Sequence, residues 1–175
     1  MDTVAGVYFQ RDDYASFWLR LLVDLIDAVT AVVLCFLAFL ALWAFAPVRL
    51  ILLVCGAILF WYFVLLKRSR GGTVGYRLAG VRIVELDGRR AGLLPLTVRM
   101  LFMLLGPANY LLDLVWMTDE THQQALRDKF GGTNVVKKRA EPIGTGKVIH
   151  RYYEVMYYNF LFREVKTDGA PLARR

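Results

Sequence analysis

Three long apolar runs separated by polar intervals set the pattern of this chain. The first, residues 17–46, reads FWLRLLVDLIDAVTAVVLCFLAFLALWAFA, and its last nineteen positions, Ala28 to Ala46, carry no charge. On a helix those positions cover roughly 28 Å, the thickness of the hydrocarbon layer of a bilayer. Pro47 ends this run, and a second follows at once, giving a span of about residues 49–66. So short a connection predicts a tight transmembrane helical hairpin. The third run, residues 93–117, differs because it contains Arg99, Gly106-Pro107 and Asp113. Proline removes a backbone donor and disfavours helix at the preceding residue, so this segment is expected to break or kink at its middle. Each half is then too short to span alone, which favours a re-entrant segment over a single kinked span. Folding there brings Arg99 and Asp113 to similar depth, whereas a straight helix holds them roughly 21 Å apart. The predicted fold class is an all-α membrane protein: a two-helix transmembrane hairpin plus a third, Gly-Pro-broken segment, with a small cytoplasmic β-hairpin.

That hairpin is read from the interval between the second and third runs. VRIVEL (81–86), the turn Asp87-Gly88 and RRAGLL predict a β-hairpin at about 81–94, because Asp-Gly favours two-residue turns. A short β-like run at 133–138 has that hairpin's edge available to join. Residues 1–16 form a polar N-terminal segment, expected to be loosely ordered and without the features of a cleavable signal. Residues 17–138 form the membrane domain. Residues 139–175 form a C-terminal tail whose IHRYYEVMYYNFLFREV stretch is aromatic enough to need a partner or a membrane surface.

Composition narrows the class. Hydrophobic residues make up 57% of the chain, and the net charge is +7. The basic residues lie mainly in loops beside apolar segments, a pattern that suits anionic headgroups and not nucleic acid. Eight Lys or Arg against two acids fall between residues 67 and 99, while the tip between the first two runs holds only Arg49. By charge bias the 67–99 loop and the N-terminus are cytoplasmic. The re-entrant reading returns the C-terminus to that side as well. Both cysteines, Cys35 and Cys55, sit inside apolar runs and read as packing residues. His122 and His150 are isolated, so no metal site is expected. The glycines at 71, 72 and 75 match no nucleotide-binding pattern. No cofactor and no catalytic residue is expected.

The chemistry that remains is charge within the apolar runs. Arg20, Asp24 and Asp27 are spaced i, i+4, i+7 and share one helix face. That face continues through Ala31, Leu34, Ala38 and Ala41, mostly small residues that allow close helix approach. In the structural reading Arg20 pairs with Asp24 or Asp27 and orients the first helix. In the functional reading Asp27, Asp24 and Asp113 bind a cation or proton, with Arg20 tuning them. Lys67, Arg68, Arg70 and Arg77 are candidate contacts for lipid headgroups.

Three blocks in order resemble the RDD family of small bacterial membrane proteins, over roughly residues 14–138. They are SFWLRLLVDLID, with Arg20 and Asp27 as the signature arginine and first aspartate; GTVGYRLAGVRIVELDG, residues 72–88; and QALRDKFGGTNVV, with Asp128 as the second aspartate. Arg127 stands where the family commonly has His, Tyr76 where it commonly has Lys, and Asp24 is an additional acid. Asp128 and Arg127 are expected to tie their segment to the glycine-rich loop, through Arg77 or Arg82. The resemblance implies a multi-pass protein of the bacterial cytoplasmic (inner) membrane, with transport or cation/proton exchange suspected for some members. Three functional readings follow. The favoured one is an accessory or structural subunit of a larger membrane complex, docking through its helices and aromatic tail. The alternatives are a small oligomeric transporter or exchanger using Arg20, Asp24 and Asp27, and an anionic-lipid binder. The expected partners are the bilayer and a membrane protein or a second copy of this chain.

Overall fold

The computed structural model describes residues 5–104, 113, 124–155 and 158–166. Strand β1 (Ala5–Tyr8) and a 3-10 turn (Arg11–Asp13) lead into helix α1 (Phe17–Leu42). Helix α2 (Val48–Phe60) runs on through a π-helical turn, Trp61–Leu66. Then come α3 (Val74–Ala79), β2 (Val81–Glu85), α4 (Leu93–Leu104), α5 (Leu126–Gly131), β3 (Thr133–Lys137), β4 (Gly144–Val155) and β5 (Tyr158–Lys166).

The two long helices start where local chemistry lets them start. The Ser16 hydroxyl accepts a bond from the Leu19 amide at 3.4 Å, capping α1. Pro47 caps α2, where its missing donor costs nothing. α1 ends at Leu42, four residues short of the predicted 46, and the second span begins at Val48. Both helices are long and apolar enough to cross a bilayer, and only 11% and 17% of their most apolar windows are buried. Such exposure does not fit the core helices of a water-soluble protein. The helices meet at Cys35 and Cys55, where each thiol lies 3.8–4.0 Å from the other's carbonyl. Of the third run, α4 and Asp113 are described, while the Gly106-Pro107 break lies outside the described residues.

The all-α expectation does not hold, because five strands form two sheets at the charged end of the helices. The 81–94 hairpin is also corrected. Its Asp87-Gly88 turn is present, with Gly88 at φ 83°, a conformation that side chains disfavour. The returning arm, however, makes only one bridge, Val84 to Arg90. The full partner of β2 is β3, antiparallel from Val81↔Lys137 to Glu85↔Thr133. The reason is packing: Arg89-Arg90-Ala91-Gly92 offers no apolar alternation, whereas β3 brings Val135 to one face and Val136 to the other.

Both faces of this ribbon are covered. Ile83 and Val135, opposite each other, pack with Val23 of α1, Val64 of the π turn and Leu96 of α4. On the reverse face Val84 and Val136 pack with Phe9 and Tyr14. The N-terminal segment, expected to be loosely ordered, is therefore built into the core over its described part, from Val7 to Ala15. Its backbone is tied down as well, with Ala15 N donating to Val135 O at 2.9 Å and Val7 N to Leu86 O at 2.7 Å. Burying each such side chain contributes about 1.5–3 kcal/mol, which the 3.6-residue and two-residue patterns alone did not assign to residues 9–15.

The aromatic tail is a long β-hairpin, β4 paired antiparallel with β5, and β1 joins its outer edge through Ala5↔Lys147. Strand alternation divides its side chains. One face docks on α5, where Phe130 meets Phe162 edge-on at 5.1 Å and Phe160 at 6.0 Å. The Lys129 ammonium donates to Tyr153 Oη at 3.0 Å and pairs with Glu164, and the Tyr153 hydroxyl also donates to Glu164. Tyr152 and Leu161, opposed across the strands, stand on the exposed face.

Burial raises the Glu164 carboxyl, but Lys129 and Tyr153 outweigh it and hold the group below its ordinary 4.5. A carboxyl depressed on folding stabilises above its unfolded pKa, and the contribution is lost as pH falls through the folded one. Hydrogen exchange of β5 amides, corrected for intrinsic rate, should lose protection on acidification below about pH 4.5. Glu164→Gln should remove that pH dependence; a pH dependence unchanged in the variant would mean another group controls the dock.

Candidate functional site

Three helices, α1, α4 and α5, together with Asp113 bring charged side chains to one buried cluster at the base of α1. Arg20, Asp24 and Asp27 do share one protein-facing side of the helix, as their spacing requires, and each is at most 3% exposed. The expected pairing among them is not observed. Successive acids and bases on one helix face are held by different elements, because each is drawn to a partner arriving from further along the chain.

Arg20 Nη1 pairs with Asp128 of α5, and Arg20 Nε donates to Ala15 O at 3.0 Å. Asp128 is also paired with Arg99 of α4, which donates from the same Nη1 to Thr133 Oγ1 at 2.8 Å. One carboxylate thus lies between two guanidinium groups from different helices. Asp24 pairs with Arg127 Nη2. Arg127 Nε lies 3.0 Å from Asp113 Oδ2, and the Arg127 amide donates to Asp113 Oδ1 at 2.7 Å. Burial pulls the Arg127 guanidinium down, but Asp24 and Asp113 outweigh burial and raise its pKa above an already high value. It stays charged at any physiological pH. Three guanidinium groups, Arg20, Arg99 and Arg127, face three carboxylates, Asp24, Asp113 and Asp128, so the cluster is neutral as a unit. All six are at most 4% exposed.

Asp27 has its own set of partners. Its Oδ1 accepts from the Tyr62 hydroxyl at 3.0 Å and from the Gly75 amide at 2.8 Å. Its Oδ2 accepts from the Thr73 hydroxyl at 2.6 Å, and Lys67 Nζ lies 3.9 Å away. Gly75 is a glycine for a steric reason: a Cβ there would lie 2.5 Å from Val23 O and 2.9 Å from Asp27 Oδ1. The glycine-rich loop is therefore tied down by Asp27, and not by Asp128 through Arg77 or Arg82. Arg77 Nε instead donates to Gly71 O and Gly72 O at 3.1 Å each, and Arg82 donates to Ala140 O at 2.8 Å.

Arg99 and Asp113, expected at similar depth, both join the cluster. Sequence reasoning missed Tyr62, Thr73 and Thr133 as partners, since neutral hydroxyls carry no charge pattern. Gly75 was the available signal: a glycine two residues after a hydroxyl, facing a buried acid. Of the headgroup candidates, Lys67, Arg68 and Arg70 line a cavity beside β2, and Arg77 braces the loop at its rim. Among the described residues no group of three or more metal-ligating side chains forms. The space between Arg20, Asp24, Tyr76 and Arg127 has no room for a water molecule.

A pair of bilayer-length helices with exposed apolar flanks, locked at one end to a small β platform by buried ion pairs, defines an integral membrane protein. The family model described as RDD family matches residues 14–132, and the chain belongs to that family. No curated protein and no solved structure matches it. Two departures noted in the sequence turn out to be partners: the additional acid Asp24 is paired with Arg127, the residue found where His is common. A third, Tyr76, carries Lys67 Nζ over its ring at 4.4 Å.

Removing one member of a buried charge set leaves the others uncompensated, at a cost of about 3–5 kcal/mol. Asp128→Ala should therefore lower thermal stability in detergent by that order, and Gly75→Ala should also destabilise through the clash at Asp27. Unfolding of Asp128→Ala indistinguishable from wild type would show that the two arginines do not depend on it.

Proposed function

We propose that this chain is a non-enzymatic accessory or structural subunit of a larger complex in the bacterial cytoplasmic membrane. The observation that carries the reading is the cluster itself. It is neutral, every carboxylate in it is paired, and the space bordered by Arg20, Asp24, Tyr76 and Arg127 has no room for a water molecule. An exchanger needs a carboxylate that can change partners with a solvated ion; a packed, compensated network suits a fixed joint. Ala31 of the small-residue face is buried within the chain, which leaves less of that face for another helix. The exposed surface of the β4–β5 hairpin, with Tyr152 74% exposed opposite Leu161, is the better docking face. Pairing of β1 with β4 keeps the N-terminal segment beside the C-terminal hairpin, and the charge bias of the 67–99 loop favours the cytoplasm for both.

Extraction in mild detergent tests this. The tagged chain should migrate in a hetero-complex, and Tyr152→Glu with Leu161→Glu should release it, folded, at its own size. Migration of the wild type as a symmetric homo-oligomer would oppose the reading. So would cation-dependent proton flux in vesicles that Asp27→Asn abolishes while assembly is kept.

A further inference from the structure

The end of the second span and the edge of the β2–β3 ribbon enclose a cavity of about 230 Å³. A water molecule occupies about 30 Å³, so the space has room for more than one solvent molecule. Its lining carries Lys67, Arg68, Arg70, Arg82, Arg90 and Lys138, and no carboxylate. Lys67 is the sole member of this set with an ion pair among the described residues, a 3.9 Å approach to Asp27, which lies outside the lining. The Lys67 side chain is 6% exposed, so its ammonium belongs to the wall and not to the surface.

Two features distinguish this from an ordinary solvated basic face. The first is Arg82. One of its terminal nitrogens is used by Ala140 O, but its Nε is buried with no hydrogen-bond partner. A buried guanidinium donor left unmatched costs free energy that an anion at that point would recover. The second is construction. Arg77 bonds to both Gly71 O and Gly72 O, holding the rim loop in shape without entering the lining. Like charges gathered on a fixed frame repel one another until a counter-charge joins them.

The place of the cavity indicates what the counter-charge is. Lys67 directly follows Leu66, the last residue of the second span, so the cavity opens at the depth of the headgroup phosphates. Guanidinium groups present forked donors that match phosphate oxygens, and four of the six cations are arginines. We propose that this cavity binds a phosphate group, carried by an anionic phospholipid headgroup or supplied as free phosphate. The proposal does not depend on whether the chain belongs to a larger complex.

The test uses the full chain, in nanodiscs for the lipids and in nonionic detergent for inorganic phosphate, with binding followed by thermal shift and by equilibrium titration. The probes are phosphatidylglycerol added to phosphatidylcholine nanodiscs, phosphatidylcholine alone, and inorganic phosphate. Phosphatidylglycerol should stabilise the wild type, and added salt should weaken the effect. The double variant Arg70→Gln, Arg90→Gln, at exposed positions that leave the core intact, should bind about tenfold more weakly or worse. Arg82→Gln is a second variant, read only if it folds. Arg89→Gln, exposed and outside the cavity, is the control and should bind as wild type. A shift with phosphatidylglycerol alone identifies a headgroup; an equal shift with inorganic phosphate identifies a soluble ligand; both uphold the phosphate site. No binding of either probe overturns it, and so does equal loss in the Arg70/Arg90 and Arg89 variants, which would mean nonspecific attraction.

Discussion

The structure depends on Asp128. Its carboxylate is the meeting point of Arg20, from the first membrane helix, and Arg99, from the short apolar helix, and it sits on a helix whose next residues begin strand β3. Without it two guanidinium groups would face each other in a region closed to water, a cost several times the strength of a surface ion pair. With it, the membrane helices and the β platform cannot move independently. The neighbouring Arg127 repeats the arrangement with opposite sign, one guanidinium between Asp24 and Asp113. Buried ion pairs often add little net stability compared with apolar packing, but they are selective about geometry. Here they fix which end of which helix meets which strand, where apolar side chains alone would accept several registers.

Much of this was legible in the sequence, for reasons specific to each element. The two spans stood out because lipid demands unbroken apolar length; the four residues Trp43 to Ala46 turn instead of continuing the helix, as the proline that follows them disfavours helix just before it. The common face of Arg20, Asp24 and Asp27 followed from helical periodicity. Their partners did not: those of Arg20 and Asp24 lie more than a hundred positions away and those of Asp27 35 to 48 away, separations that leave no local pattern. Charge bookkeeping within the first helix suggested the nearest opposite charge, and tertiary contact chose a more distant one. The β content was under-read for a related reason. Strand β2 was recognised, but its turn invited a local partner, while the apolar alternation of Val135 and Val136 made β3 the better one. Tyr152, Tyr153, Phe160 and Phe162 gave no single periodicity because they lie on two strands, whose pairing sends Tyr153, Phe160 and Phe162 to α5 and Tyr152 to the surface.

These features divide the molecule into parts with different work. The apolar helices supply attachment, and the neutral cluster supplies rigidity at the membrane boundary. Among the described residues, the tail hairpin presents an exposed apolar pair, Tyr152 and Leu161, and the cavity a lining of cations.

The central claim is that the cluster acts as one coupled joint, and a double-mutant cycle on Asp24 and Arg127 tests it most directly. Thermal or denaturant unfolding in detergent would be measured for Asp24→Leu, Arg127→Met and the double variant. The account predicts that each single change is strongly destabilising and the double change costs less than their sum, with a coupling of about 1–3 kcal/mol. Additive effects, with no coupling between the two residues, would contradict it.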